Sequence, residues 1–139
     1  MAVTQQSSLF AVLRTASCLE SRVEARLADI GLSLPKLAAL QRLTQAGESL
    51  PLGQLAEKLA CVKSNVTQLV DRLEADGLVA RTADPNDGRS RIAVLTAAGR
   101  RAFARGIGIQ RQAEQELFSV LTPDESDHLH RLLAKLDAH

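Results

Sequence analysis

A mainly α-helical fold carrying one small β-hairpin is what this sequence predicts, and three observations predict it. Apolar residues recur at helical spacing through most of the chain. The stretch from Leu52 to Thr96 reads instead as two short helices, a glycine stop and two β-type runs separated by turn dipeptides. Arginines cluster at the far end of that hairpin. A helix sized for the major groove, followed by a basic ribbon that reaches the neighbouring groove, is a physical solution to holding duplex DNA. The arrangement is a winged helix-turn-helix core, here flanked by N- and C-terminal dimerisation helices.

Composition bounds the possibilities. At 139 residues the chain suits one domain, and 45% hydrophobic with 24% charged residues excludes wholesale disorder. No apolar run approaches the roughly 18 to 20 residues that span a bilayer, and the first residues lack a basic region followed by a long apolar one. A cytoplasmic protein with no membrane partner is expected. Two cysteines, Cys18 and Cys61, are too few for a disulfide framework or a four-ligand zinc site. The net charge is +1, but its distribution is uneven: residues 1–62 hold six basic against five acidic side chains, residues 63–111 nine against five, and residues 112–139 two against six. A positive middle before an acidic tail is what a localised phosphate-facing surface gives. The domain is read as 1–139, with 31–100 as the DNA-binding core and 1–30 and 101–139 as dimerisation helices.

The first helix is expected over Ser7 to Asp29, with Leu9, Val12, Leu13, Ala16, Leu19, Val23, Leu27 and Ile30 on one stripe and Gly31 as its stop. Ser33 caps a second helix from Leu34 to Gln45, with Leu37, Leu40 and Leu43 inward and Gly47 ending it. Leu50 to Gly53 reads as a short extended segment. Leu52, Leu55, Ala56 and Leu59 then mark the first helix of the reading unit, which breaks near Ala60 and Cys61.

From Lys63 to Asp76, Val66, Leu69, Val70 and Leu73 follow the i, i+3, i+4, i+7 spacing of one buried face. At about 100° per residue the opposite face presents Ser64, Gln68, Asp71 and Ala75, flanked by Asn65, Thr67 and Arg72. Ser, Thr, Asn and Gln at the leading end of a groove-inserted helix contact base edges and phosphates. Val62, before this helix, has no side-chain oxygen to cap it; either Ser64 caps a later start or the first amides rely on something else.

Gly77 stops that helix. Leu78 to Arg81 and Arg91 to Leu95 read as paired strands, with a loop from Thr82 to Ser90 containing Asp84-Pro85 and Asp87-Gly88. Arg89 and Arg91 are expected at or beside the tip, where guanidinium groups enter a narrow minor groove or straddle phosphates. Asp87 is expected to hold Arg89 extended through a wing salt bridge.

Thr96 caps a long helix running to about Leu121, with Arg100, Arg101 and Arg105 early in it. Gly106 and Gly108 in its interior imply a bend or a close helix contact. Thr122-Pro123-Asp124-Glu125 combines a cap, proline at the first helical position and Glu at the third. Leu129, Leu132, Leu133 and Leu136 give the last helix an apolar stripe. Mutual burial of the two terminal segments in a two-fold dimer is the simplest way to cover them.

Cys61, beside the positive end of the reading helix, is a candidate oxidant-sensitive thiol, with Cys18 a weaker one; the plain alternative for each is a small packing residue. His128 and His130, two apart on a helix, point away from each other and make no metal pair. No nucleophile elbow or glycine-rich phosphate loop is present, so neither catalysis nor a cofactor is expected.

The run from Gln54 to Arg100, with LSLPKLAALQRL before it and LTPDESDHLHRLLAKL after it, resembles the MarR (multiple antibiotic resistance regulator) family of bacterial transcription factors. The most specific parts are Asp71-Arg72-Leu73-Glu74, Asp76-Gly77-Leu78-Val79, and the wing signature of Asp87 and Arg89. The resemblance implies a homodimer on an inverted-repeat operator of double-stranded DNA. It also implies repression relieved by a small-molecule effector or oxidant, from a largely aliphatic pocket between the reading and dimer helices. Carried over by residue, it implies DNA contacts from Lys63, Ser64, Asn65, Thr67 and Gln68, with Arg89 in the minor groove. Gly88 stands where the family commonly has a second arginine, so each wing carries one charge fewer. The alternative class is a winged-helix adaptor that binds protein rather than DNA.

Overall fold

In the computed structural model, which describes residues 7–59 and 65–138, the elements run α1 (Ser8–Ala28), α2 (Leu34–Gln45), β1 (Ser49–Pro51), α3 (Leu52–Lys58), α4 (Val66–Ala75), β2 (Val79–Asp84), β3 (Asp87–Leu95), α5 (Ala97–Leu117) and α6 (Pro123–Asp137). Helix starts are set by side-chain oxygens. Ser7, Ser33, Thr96 and Thr122 each accept the backbone amide three residues on. At Thr122 the favour is returned: its own amide donates to Glu125 Oε1 at 2.9 Å, completing a capping box. Gly31, Gly47 and Gly77 take positive φ near the ends of α1, α2 and α4, the left-handed conformation that closes a helix.

The three strands form an antiparallel sheet in the order β1-β3-β2. The sequence predicts only an extended segment over Leu50 to Gly53; the strand β1 lies at Ser49–Pro51 instead, Leu50 opposite Ala93, and α3 begins at once with Leu52. Proline at the end of this edge strand sacrifices no interior ladder bond.

One apolar cluster fills the space between these elements. Leu27, Leu37, Leu40, Leu43, Leu55, Leu59, Val70 and Leu73 are fully buried, joined by Leu69, Val79, Ala93, Leu95 and Ala113. The cluster takes only Val23 and Leu27 from α1, and no residue of α6 is buried. Leu9, Phe10, Val12 and Leu13 of α1 and Leu132, Leu133 and Leu136 of α6 therefore stay exposed, Phe10 at 70% and Leu136 at 60%.

Of the two glycines inside α5 that imply a bend or a close contact, Gly106 makes the contact: a Cβ there would lie 2.7 Å from Leu37 Cδ1 and 2.8 Å from Leu32 Cδ1, whereas nothing approaches Gly108. A tighter approach, with no signature in the sequence, occurs at Gly99, where a Cβ would sit 2.1 Å from the Leu78 carbonyl oxygen. That carbonyl accepts the Thr96 amide at 3.1 Å, and the Thr96 hydroxyl donates to the Gly77 carbonyl at 2.7 Å. The end of α4, the start of β2, the end of β3 and the start of α5 are thus tied at one point.

α5 ends at Leu117 rather than near Leu121. The Ser119 hydroxyl donates to the Glu116 carbonyl at 2.8 Å, and Thr122 before a proline disfavours continued helix.

Gly99→Ala is expected to lower unfolding stability by about 1 to 3 kcal/mol, because backbone rather than a flexible side chain must yield. Gly108→Ala, in open space, should lose nothing. Urea unfolding at one protein concentration checks the pair, and equal midpoints for both variants would contradict the packing described.

Candidate nucleic-acid interface

α4 starts at Val66, later than the Lys63 start expected. The reason is Asn65: its backbone is extended and its Oδ1 accepts the Gln68 amide at 3.3 Å, so the helix begins where a side-chain oxygen first satisfies an open donor. Cys61, Lys63 and Ser64 lie outside the described residues. Leu69, Val70 and Leu73 are buried, with Val66 half-buried, and this leaves Thr67, Gln68, Asp71, Arg72 and Ala75 facing outward. Asn65 is exposed as well, with its oxygen committed to the cap and its amide hydrogens free of that task.

The hairpin next to α4 is longer and more ordered than a strand pair with a loop from Thr82 to Ser90. Only Pro85 and Asn86 form the turn, and pairing continues to Asp84 opposite Asp87. Ala83 pairs with Arg91, so Gly88, Arg89 and Ser90 have no partner residues on β2 and form a bulge. Two aspartates make this possible by serving backbone donors. Asp84 accepts the Asn86 amide at 2.8 Å, and Asp87 accepts the Arg89 amide at 3.0 Å and the Ser90 hydroxyl at 3.2 Å.

The expected wing salt bridge is therefore corrected. Asp87 holds the backbone at Arg89 rather than its guanidinium, and no Asp87–Arg89 ion pair is present among the described residues. Arg89 is exposed in the bulge, one step back from the tip. Arg91 lies beyond the bulge, opposite Ala83, and lines a groove with Gln54 and Glu57 of α3.

Sequence reasoning missed Arg81. From β2, its guanidinium pairs with Asp71 of α4, its Nε lies 3.8 Å from Glu74 Oε1, and its amide donates to Glu74 Oε2 at 3.2 Å. The one signal for it is the i, i+3 spacing of Asp71 and Glu74 ahead of a strand arginine. Further ion pairs brace the frame: Lys36 of α2 to Asp76 at 2.8 Å and Arg100 of α5 to Glu48 at 2.7 Å. Cys18 is exposed on α1, as are His128 and His130 on α6.

Comparison with known proteins agrees with this geometry. Residues 32–90 match the model of the MarR family. The chain is 32% identical over 127 residues to HTH-type transcriptional repressor Rv2887 of Mycobacterium tuberculosis, covering 91% of both. In fold it is similar to Bordetella bronchiseptica BpsR, with a TM-score of 0.87 at 22% identity over 100% of this chain and 99% of that one. It is similar also to a variant of Escherichia coli MarR solved with operator DNA, with a TM-score of 0.80 at 22% identity over 91% and 90%. Fold, exposed helix and basic ribbon define a winged helix-turn-helix transcriptional regulator. The chain belongs to the MarR family.

Asn65→Ala should destabilise the protein by about 1 kcal/mol, whereas Asn65→Ser, which keeps a capping oxygen, should cost much less. Chemical unfolding distinguishes them; identical losses would mean that the cap does not set the start of α4.

Proposed function

We propose that this protein is a homodimeric, sequence-specific repressor that binds an inverted repeat, with α4 in the major groove and the bulged wing in the flanking minor groove. The observation that carries the reading is the outward face of α4. Thr67, Gln68 and Arg72 stand exposed over a buried Leu69, Val70 and Leu73, directly beside a hairpin presenting Arg89. Within it, Asn65, Thr67 and Gln68 read bases, Arg72 and Arg91 meet phosphates, and Arg89 enters the minor groove. Lys63 and Ser64 complete the leading end of the reading head.

The apolar faces left exposed on α1 and α6 support a dimer built from 1–30 and 101–139, with 31–100 as the DNA-binding part. The likeness to an operator-bound MarR variant supports DNA as the partner, and the repressor name of the Mycobacterium tuberculosis relative supports repression over the adaptor alternative. BpsR, whose DNA binding is regulated by 6-hydroxynicotinic acid, supports release by a small molecule. A cleft of about 400 Å³ between α1 and α5, lined by Arg22, Ala25, Arg26, Ala113, Glu116 and Leu117, with Arg26 paired to Glu116, is a place where such a molecule could bind. Cys61 or Cys18 would carry an oxidant response. The family and the repressor relatives support a cytoplasmic regulator that is not an enzyme. No helix of the described residues is long and apolar enough to cross a membrane.

Titration against duplexes selected from a random pool tests the reading. Affinity is expected to fall with salt at a log-log slope of about −0.9 per phosphate contacted, and a slope near zero would favour the adaptor. Arg89→Ala should weaken binding across all sequences and reduce that slope, whereas Gln68→Ala should change base preference at one half-site position. Equal effects of the two on every duplex would contradict this division.

A further inference from the structure

We infer that Arg81 is a positioning residue for DNA binding, one that acts by neutralising the carboxylates of α4 and tying that helix to the base of the wing. The inference rests on the DNA-reading role proposed for α4. Asp71 shares the outward stripe with Gln68 and Ala75, and its side chain is 57% exposed, so its charge lies on the surface offered to phosphates. An unpaired carboxylate there opposes a polyanion. Glu74 follows one turn later, adding a second negative charge on the side facing β2.

Arg81 answers both. Its side chain is only 24% exposed, with a terminal nitrogen on Asp71 and the guanidinium Nε 3.8 Å from Glu74 Oε1. That Nε is out of contact with solvent and has no hydrogen-bond partner among the described residues. The guanidinium is therefore drawn inward, between two carboxylates, instead of reaching outward as Arg89 does. The backbone bond from Arg81 to Glu74 fixes the same strand to the same helix turn. Wing and reading helix move as one piece through this contact, and the outer surface of α4 presents polar groups without net negative charge.

The test uses the full chain and one duplex chosen from a random pool by the parent protein. Arg81→Gln, Asp71→Asn and the double variant are titrated at several salt concentrations, with thermal unfolding followed in parallel. Arg81→Gln is expected to bind about tenfold more weakly with an unchanged salt slope. Asp71→Asn should bind at least as tightly as the parent, and the double variant should return to within about threefold of it, because the charge left exposed has been removed. A salt slope lowered by about one in Arg81→Gln would make the residue a phosphate contact and overturn the inference. So would a double variant as weak as Arg81→Gln, the result expected of a purely structural role. Should Arg81→Gln fail to fold, Arg81→Met, which removes the charge but keeps an unbranched side chain, carries the same comparison with and without Asp71→Asn. A parent protein that binds no duplex would instead overturn the DNA-reading role. Parent and Arg81→Gln binding equally well would overturn only the role of Arg81.

Discussion

The burial of Leu69, Val70 and Leu73 decides which way the reading helix faces, and the rest of the interface depends on it. Each such side chain removed from water contributes about 1.5 to 3 kcal/mol, whereas an exposed ion pair contributes about 0 to 1 kcal/mol. Three residues of α4 are bound into the same cluster as Leu40, Leu43 and Leu55. A rotation that hid Gln68 or Arg72 would expose that seam, so the polar stripe points outward because the apolar one cannot. Ion pairs such as Lys36–Asp76 and Arg81–Asp71 then adjust an orientation that packing has already chosen.

A further constraint joins the reading helix to everything after it. Thr96 uses its hydroxyl twice, accepting the Gly99 amide and donating to Gly77, while its amide holds the Leu78 carbonyl that also crowds Gly99. Through this point the hairpin and α5 are anchored to the last turn of α4. α5 then passes Gly106 over Leu32 and Leu37 and leads on to α6, whose leucines find no cover within the chain. Apolar area stays open on α1 and α6, and the outward face of α4 belongs to the part of the chain that packs well by itself.

Local chemistry is legible in the sequence, and long-range chemistry is not. Ser33, Thr96 and Thr122 announce helices because a capping oxygen precedes an apolar period, and all three do cap. The outward face of α4 follows from periodicity alone, but its first residue does not, since Asn65 and Ser64 carry equally suitable capping oxygens. The paired part of the wing is longer than the sequence predicts because Asp-Pro and Asp-Gly resemble loop punctuation. Their carboxylates in fact bond nearby amides and hydroxyls, and this lets the ladder run on to Asp84 and Asp87. The Gly99 contact has no periodic or local signature, and the Arg81 clamp has only the i, i+3 spacing of Asp71 and Glu74, which does not say which arginine answers them. The clamp joins a strand to a helix across the fold, and Gly99 is indistinguishable in sequence from any small residue near a helix start.

In the proposed dimer two copies of α4 are held together on one face at the pitch of B-form DNA. Pulsed electron-spin distance measurements on protein labelled through a non-cysteine chemistry at Ala75, exposed on α4 and outside the proposed DNA contacts, test this most directly. One dominant distance of about one helical turn, about 34 to 36 Å with allowance for the label's reach and its place on the helix, is expected, and it sharpens when a selected duplex is added. No intermolecular distance at all, or a distribution centred far outside one helical turn and unmoved by DNA, would contradict it.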